Sequence, residues 1–182
     1  MTLPTDSRGK AVSADTLSLK PGLTELLILG PAITGYEYWK KEGGPVRQSE
    51  VFDEPLPEGA KMEPTKDKDG NTTGEQQAKQ KFYWAMPVYD FSTQTFEIWL
   101  ITQKGLREEL LALQNNPNWG DATGRYSLTV NKSGTGLQTK YKADGNPGCF
   151  TNEEKKAEIA AIMEKYNANP IDVAGDLFGT AE

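Results

Sequence analysis

The chain has 182 residues, 36% hydrophobic and 25% charged, with a formal net charge of −6. That suits one domain of about 100–150 residues plus extensions, and no apolar run approaches the roughly 20 residues of a membrane helix. Histidine is absent and Cys149 is the single cysteine. This excludes Ser-His and Cys-His nucleophilic sites, an internal disulfide and nearly every protein zinc site, and favours a chain that binds over one that reacts.

Residues 1–18 are polar and read as a flexible arm, and Pro4 and Asp6 argue against a secretory signal. Apolar residues from Leu23 to Leu29, then Tyr36 to Trp39, predict one long strand over 24–40, bent at Gly30-Pro31. Residues 41–80 are rich in Pro, Gly and charge and read as a long, mobile loop. Lys81 to Tyr89 alternates as a strand, a turn follows over Asp90–Gln94, and Thr95 to Thr102 is the partner strand. On that pairing Phe82, Trp84 and Phe96 share a core face with Met86, Val88, Ile98 and Leu100. A helix begins near Lys104, with Leu106, Leu110, Leu111 and Leu113 at helical spacing, and ends at Asn115-Asn116-Pro117.

Tyr126, Leu128 and Val130 alternate with polar residues, Ser133-Gly134-Thr135-Gly136 reads as a turn, and Leu137 to Tyr141 as a return strand. No acid lies between Asp121 and Asp144, yet Arg125, Lys132, Lys140 and Lys142 do. In an acidic chain this hairpin is a candidate anion site, set against the plainer reading of a solvated, Lys-decorated edge. Thr151 and Glu154 have capping-box spacing before a second helix whose stripe is Ile159, Ile162, Met163 and Tyr166. Residues 167–182 carry Asp172, Asp176 and Glu182 without a base and read as an acidic tail outside the core, set against the competing reading that Ile171, Val173, Leu177 and Phe178 pack back onto the barrel as a clasp.

The order strand, strand, strand, helix, strand, strand is that of the OB-fold, a five-stranded Greek-key barrel with a helix between strands 3 and 4, here followed by a C-terminal helix. It divides the chain into an arm (1–18), a barrel domain (19–150) and a C-terminal helix with its tail (151–182). A small α+β sheet protein has the same elements. In an OB-fold the binding surface lies on strands 2 and 3 and the loops joining strands 1–2 and 4–5. From the available rings Tyr36, Tyr38, Trp39, Tyr83, Tyr89, Trp99 and Trp119 this selects Tyr38, Tyr83, Tyr89 and Trp99 for base stacking, and Lys40, Lys81, Arg125, Lys132, Lys140 and Lys142 as cations for phosphates. A ring on a strand more often serves in a core than as a platform, and Tyr83 is open to either role.

Four strings carry a resemblance: Lys81-Phe82-Tyr83-Trp84-Ala85-Met86-Pro87-Val88-Tyr89-Asp90; Ile101-Thr102-Gln103-Lys104 leading into the leucine-rich helix; Trp119-Gly120-Asp121 with Arg125-Tyr126; and Lys132 to Tyr141. Together with Leu29–Trp39 they resemble, over roughly residues 19–145, the phage-type single-stranded DNA-binding proteins. The resemblance implies sequence-independent binding of single-stranded DNA in phage DNA replication, recombination or repair, with no enzymatic activity, cofactor or membrane. It also implies a place in the bacterial host cytoplasm and docking of replication or recombination proteins on the acidic tail. Some members of the wider group hold zinc in a His/Cys cluster, for which this chain has no ligands. Two other readings stand beside it. One is an OB-fold module that binds a protein or oligosaccharide in a phage or bacterial assembly. The other is a carboxylate enzyme using Asp53, Glu54, Asp67 and Asp69 around Mg²⁺, which their irregular, Lys-interspersed spacing disfavours.

Overall fold

The computed structural model describes residues 14–179. The chain is mainly β, with nine strands and four α-helices among the described residues. The strand expected over 24–40 forms in two pieces, β1 (Gly22–Ile28) and β2 (Ile33–Trp39). Both pair with β6 (Lys81–Asp90), Ile28 opposite Val88 and Ile33 opposite Ala85. Between these pairs four residues on β1–β2 stand against two on β6, so Leu29–Ala32 is a bulge with two extra residues. Pro31 cannot join the ladder, and a Cβ at Gly30 would lie 3.1 Å from the Pro87 ring.

β3 (Pro45–Gln48) pairs with the far edge of β2, β7 (Thr95–Ile101) with β6, and β8 (Ser127–Ser133) with β1. β9 (Lys140–Gly145) closes the order β3-β2-β6-β1-β8-β9. The closed barrel expected from the element order is not formed among the described residues, because the outer strands β7 and β9 do not pair with each other. Helix α1 (Lys104–Asn115), which connects β7 to β8, packs against both β7 and β9. Its Glu109 carboxylate accepts the edge N–H of Ala143, so a side chain satisfies a donor that a closing strand would otherwise take. The outer edge of β7 is met by the N-terminal segment: Leu17 N–H donates to Ile98 O (2.8 Å) and Ile98 N–H to Asp15 O (2.9 Å). Residues 14–18 of the expected arm are therefore pinned, and 1–13 lie outside the described residues.

Past the single turn α2 (Gly148–Thr151), helix α3 (Glu153–Ala168) joins α1 in covering β1, β6 and β8, and the main core between them contains Leu26, Met86, Val88, Trp99, Leu106, Leu128 and Ile159. Asn152, not Thr151, caps α3, its side chain accepting from Glu154 N and Lys155 N. Lys155 lies over the Phe91 ring (3.9 Å) and pairs with Glu25 (2.8 Å), which fastens α3 to β1. Burial pushes the Glu25 carboxyl up, but bonds from Lys155, Ser127 and Asn146 more than offset this and hold it below its usual range.

The hairpin register departs from expectation by one residue. A turn over Asp90–Gln94 would set Tyr89 opposite Thr95. Instead Asp90 is paired with Thr95, its Oδ1 accepting from Ser92 N and Oγ, and the loop is Phe91–Gln94. A one-residue slip exchanges faces: Met86 faces Trp99, while Tyr83 and Ala85 share the other side with Ile98. That second face is buried by α4 (Val173–Phe178), through Val173, Leu177 and Phe178, with Ile171. The segment read as an acidic tail outside the core is thus a structural clasp over its described length. Asp176 Oδ2 accepts from Ala14 N (2.9 Å), tying it to the N-terminal segment.

The connection 41–80 is also more ordered than a mobile loop. Tyr38, Val46, Phe52, Leu56 and Ala60 form a small core of their own. Two glutamine amides each bond both backbone groups of one residue, Gln77 those of Leu56 and Gln80 those of Phe52. β4 (Met62–Lys66) and β5 (Thr72–Gln77) form a two-stranded ribbon whose turn is capped by Asp67, which accepts from Asp69 N and Asn71 N.

Gly35 in β2 faces the Tyr83 ring so closely that a Cβ there would lie 2.5 Å from the hydroxyl. Gly35→Ala is expected to destabilise by ~1–3 kcal/mol through overpacking. Tyr83→Phe, which removes a buried hydroxyl that has no partner among the described residues, should be neutral or stabilising. Thermal melts of the two variants check both signs.

Candidate nucleic-acid interface

Two basic features emerge. The first is a groove of roughly 450 Å³ lined by Trp39, Lys61, Met62, Glu63, Pro64, Ala78, Lys79 and Lys81. Backbone bonds build it from three distant segments: Lys61 N–H donates to Trp39 O (2.7 Å), and Ala78 N–H to Lys61 O (2.7 Å). Beyond Trp39 the two chains continue side by side, Lys40 bridging Ala60 and Lys41 N–H donating to Gly59 O (2.9 Å). Trp39 is 45% exposed, whereas Trp99 is buried and Trp84 and Trp119 are half-buried. Lys40, Lys41, Lys61, Lys79 and Lys81 are exposed, and among the described residues none is in an ion pair. The one lining acid, Glu63, accepts from Gln76 Nε2. An exposed indole ringed by ammonium groups can stack one base, worth ~1–3 kcal/mol, and hold the flanking phosphates.

The second feature is the β8–β9 hairpin. Lys140 is exposed and, among the described residues, in no ion pair. Lys132 is half-buried and donates to Leu19 O (3.1 Å). Lys142 makes an exposed pair with Asp144 (3.6 Å), worth little in water. Arg125 is a structural anchor: its Nη1 donates to Trp119 O and Asp121 O, and the guanidinium lies over Phe150. The registers set the two features at opposite ends of β6. Lys81 pairs with Glu37 at its start, Asp90 pairs with Leu26 at its end, and Lys132 lies opposite Gly22, four residues further along β1.

The rings expected to line one surface do not do so. Tyr83 is 0% exposed and Trp99 2%. Burial pushes the Tyr83 hydroxyl up to about 12, with Glu37 adding and Arg47 opposing. Tyr38 is buried against Phe52, their ring centroids 4.9 Å apart. Tyr89 is half-buried between Phe91 and Phe96. These four are packing residues. Of the expected positions, Lys81 lines the Trp39 groove, Lys40 follows Trp39 and bridges Ala60 beside it, and Lys132, Lys140 and Lys142 belong to the hairpin. Trp39, Lys61 and Lys79 were not selected from the sequence as site residues. Their signal was local, a tryptophan before Lys40-Lys41 and the Lys79-Gln80-Lys81 triplet, but their meeting depends on the fold of the 41–80 connection.

Comparison of the chain with protein-family models, with curated proteins and with solved structures gives no match. No helix among the described residues is long and apolar enough to cross a membrane.

Proposed function

We propose that this protein binds single-stranded DNA without sequence preference, through the Trp39 groove, as a non-enzymatic component of phage DNA replication, recombination or repair. The observation that carries the proposal is the exposed Trp39 set among Lys61, Lys79 and Lys81. A sequence-blind binder needs this combination, a ring that accepts any base face and cations that track the backbone. The strand order supports an opened OB-type arrangement, in which β1 with β2, β6, β7, β8 and β9 take the five strand roles, and α1 stands between the third and fourth. The resemblance of residues 19–145 to phage single-stranded DNA-binding proteins points the same way.

Fluorescence anisotropy with labelled oligo(dT), mixed-sequence single strands and duplex of equal length tests the proposal. Single strands should bind with similar affinities whatever their sequence, and more tightly than duplex. Equal affinity for duplex, or no binding of any oligonucleotide at low salt, would refute it.

A further inference from the structure

Leu137, expected in a return strand, instead stands at the tip of the β8–β9 hairpin with its side chain fully in solvent, at 105% relative exposure. A single exposed leucine needs no explanation; the setting of this one does. The tip is a built turn. Residues Gly136–Gln138 form a 3₁₀ turn in which Gln138 N–H donates to Thr135 O (3.0 Å). Gly136 O accepts both Thr139 N–H (3.3 Å) and Thr139 Oγ1 (2.8 Å). Gly134 holds a left-handed φ of 76°, where a Cβ would run into the Gln138 carbonyl. The chain thus doubles back on itself and presents Leu137 outward. Lys140 begins the return strand opposite Ser133, and Lys132 lies one pair below. Lys20 adjoins Leu19, whose carbonyl Lys132 holds. No acid occurs from residue 122 to 143.

An apolar tip standing above two lysines, in an acid-free segment, fits a polyanion whose interior is apolar. Stacked DNA is one: side chains such as Leu enter between base steps and unstack them while basic residues hold the phosphates. One leucine buries too little surface to hold a membrane, and leucine is under-represented among the hot spots of protein interfaces.

We propose that Leu137 is a wedge that enters the stack where a duplex meets a single strand, with Lys132 and Lys140 on the flanking phosphates. The hairpin opens duplex ends, and binding of the released strand at the Trp39 groove supplies the driving free energy. The wedge rests on the single-strand reading above and assigns that function a preferred substrate, the junction.

The test is a forked duplex with an oligo(dT) arm and a donor–acceptor dye pair at the fork, studied with the full chain and with Leu137→Ser and Leu137→Phe. The exposed position leaves the melting temperature of both variants unchanged. Leu137→Ser should bind oligo(dT) within about twofold of the parent yet open the fork about tenfold less at equal occupancy, and Leu137→Phe should restore opening. Undiminished opening by Leu137→Ser would overturn the wedge, as would an equal loss of opening and oligo(dT) affinity, which marks an ordinary contact. Loss of co-sedimentation with phosphatidylserine vesicles, with opening unchanged, would mark a membrane contact and overturn it too. If the parent chain does not bind oligo(dT), the single-strand reading fails and the wedge falls with it.

Discussion

Deleting residues 170–182 lowers the melting temperature by about 6–12 °C, the shift expected when roughly 3 kcal/mol is lost from a chain of this size. Val173 is buried and Ile171, Leu177 and Phe178 are half-buried on the face carrying Tyr83, Ala85 and Ile98. Fully burying such side chains stabilises by ~1.5–3 kcal/mol each; partial burial and the entropy of ordering a short helix reduce the sum. The truncation also removes Asp176, the acceptor for Ala14 N, so the N-terminal segment beside β7 loosens with it. A melting temperature within a degree or two of the parent would show that α4 does not hold the fold, and would restore the acidic segment to the role of a dispensable tail. Phe178→Ala and Val173→Ala, each expected to show part of the loss, guard against an effect of truncation alone.

Changing Lys61, Lys79 and Lys81 together to Ala weakens single-strand binding by about 100-fold near 0.1 M salt, if each lysine neutralises one phosphate. The same loss flattens the slope of log affinity against log salt by roughly 2, since each single-strand phosphate contributes about 0.7. All sequences should be affected alike, because phosphate contacts carry no base information. The three side chains are exposed and, among the described residues, unpaired, so the melting temperature should hardly move. An unchanged salt slope in the triple variant would mean that the groove lysines are solvated charges and that DNA, if bound, lies elsewhere.

Local patterns in the sequence were sufficient for most elements. The bend at Gly30-Pro31, the strand from Lys81, the leucine helix over 104–115 and the basic hairpin are each set by neighbours a few residues apart. What the pattern could not settle was which face of a strand meets the core. Lys81–Asp90 is apolar on both sides because α1 and α3 cover one face and α4 the other, so alternation holds no polar reference. One residue in the Phe91–Gln94 loop then decides whether Trp99 or Ile98 faces Met86. Tyr83 and Trp99 consequently looked available and are core.

The sequence leaves the tail open between a free acidic segment and a clasp for a related reason. Ile171, Val173, Leu177 and Phe178 have a helical spacing too short to stand out beside Asp172 and Asp176, and only the uncovered face of β6 and β7 calls for them. The Trp39 groove was hidden by distance: Lys61 and Lys79 reach Trp39 through backbone bonds across a connection whose composition reads as loop. The glutamine clamps that order this connection use a residue type that carries no strand or turn signal.

Trp39 offers the most direct measurement. It is the one exposed tryptophan of four, so a base stacked on it should quench a distinct part of the intrinsic fluorescence. Titrating the protein with oligo(dT) at low salt should quench the parent. In Trp39→Phe, which keeps a ring but removes the reporter, the quench should be nearly abolished while anisotropy still shows binding. Trp39→Ala should weaken that binding by ~1–3 kcal/mol. The same quench amplitude in Trp39→Phe, or unweakened binding by Trp39→Ala, would contradict the assignment of single-stranded DNA to this groove.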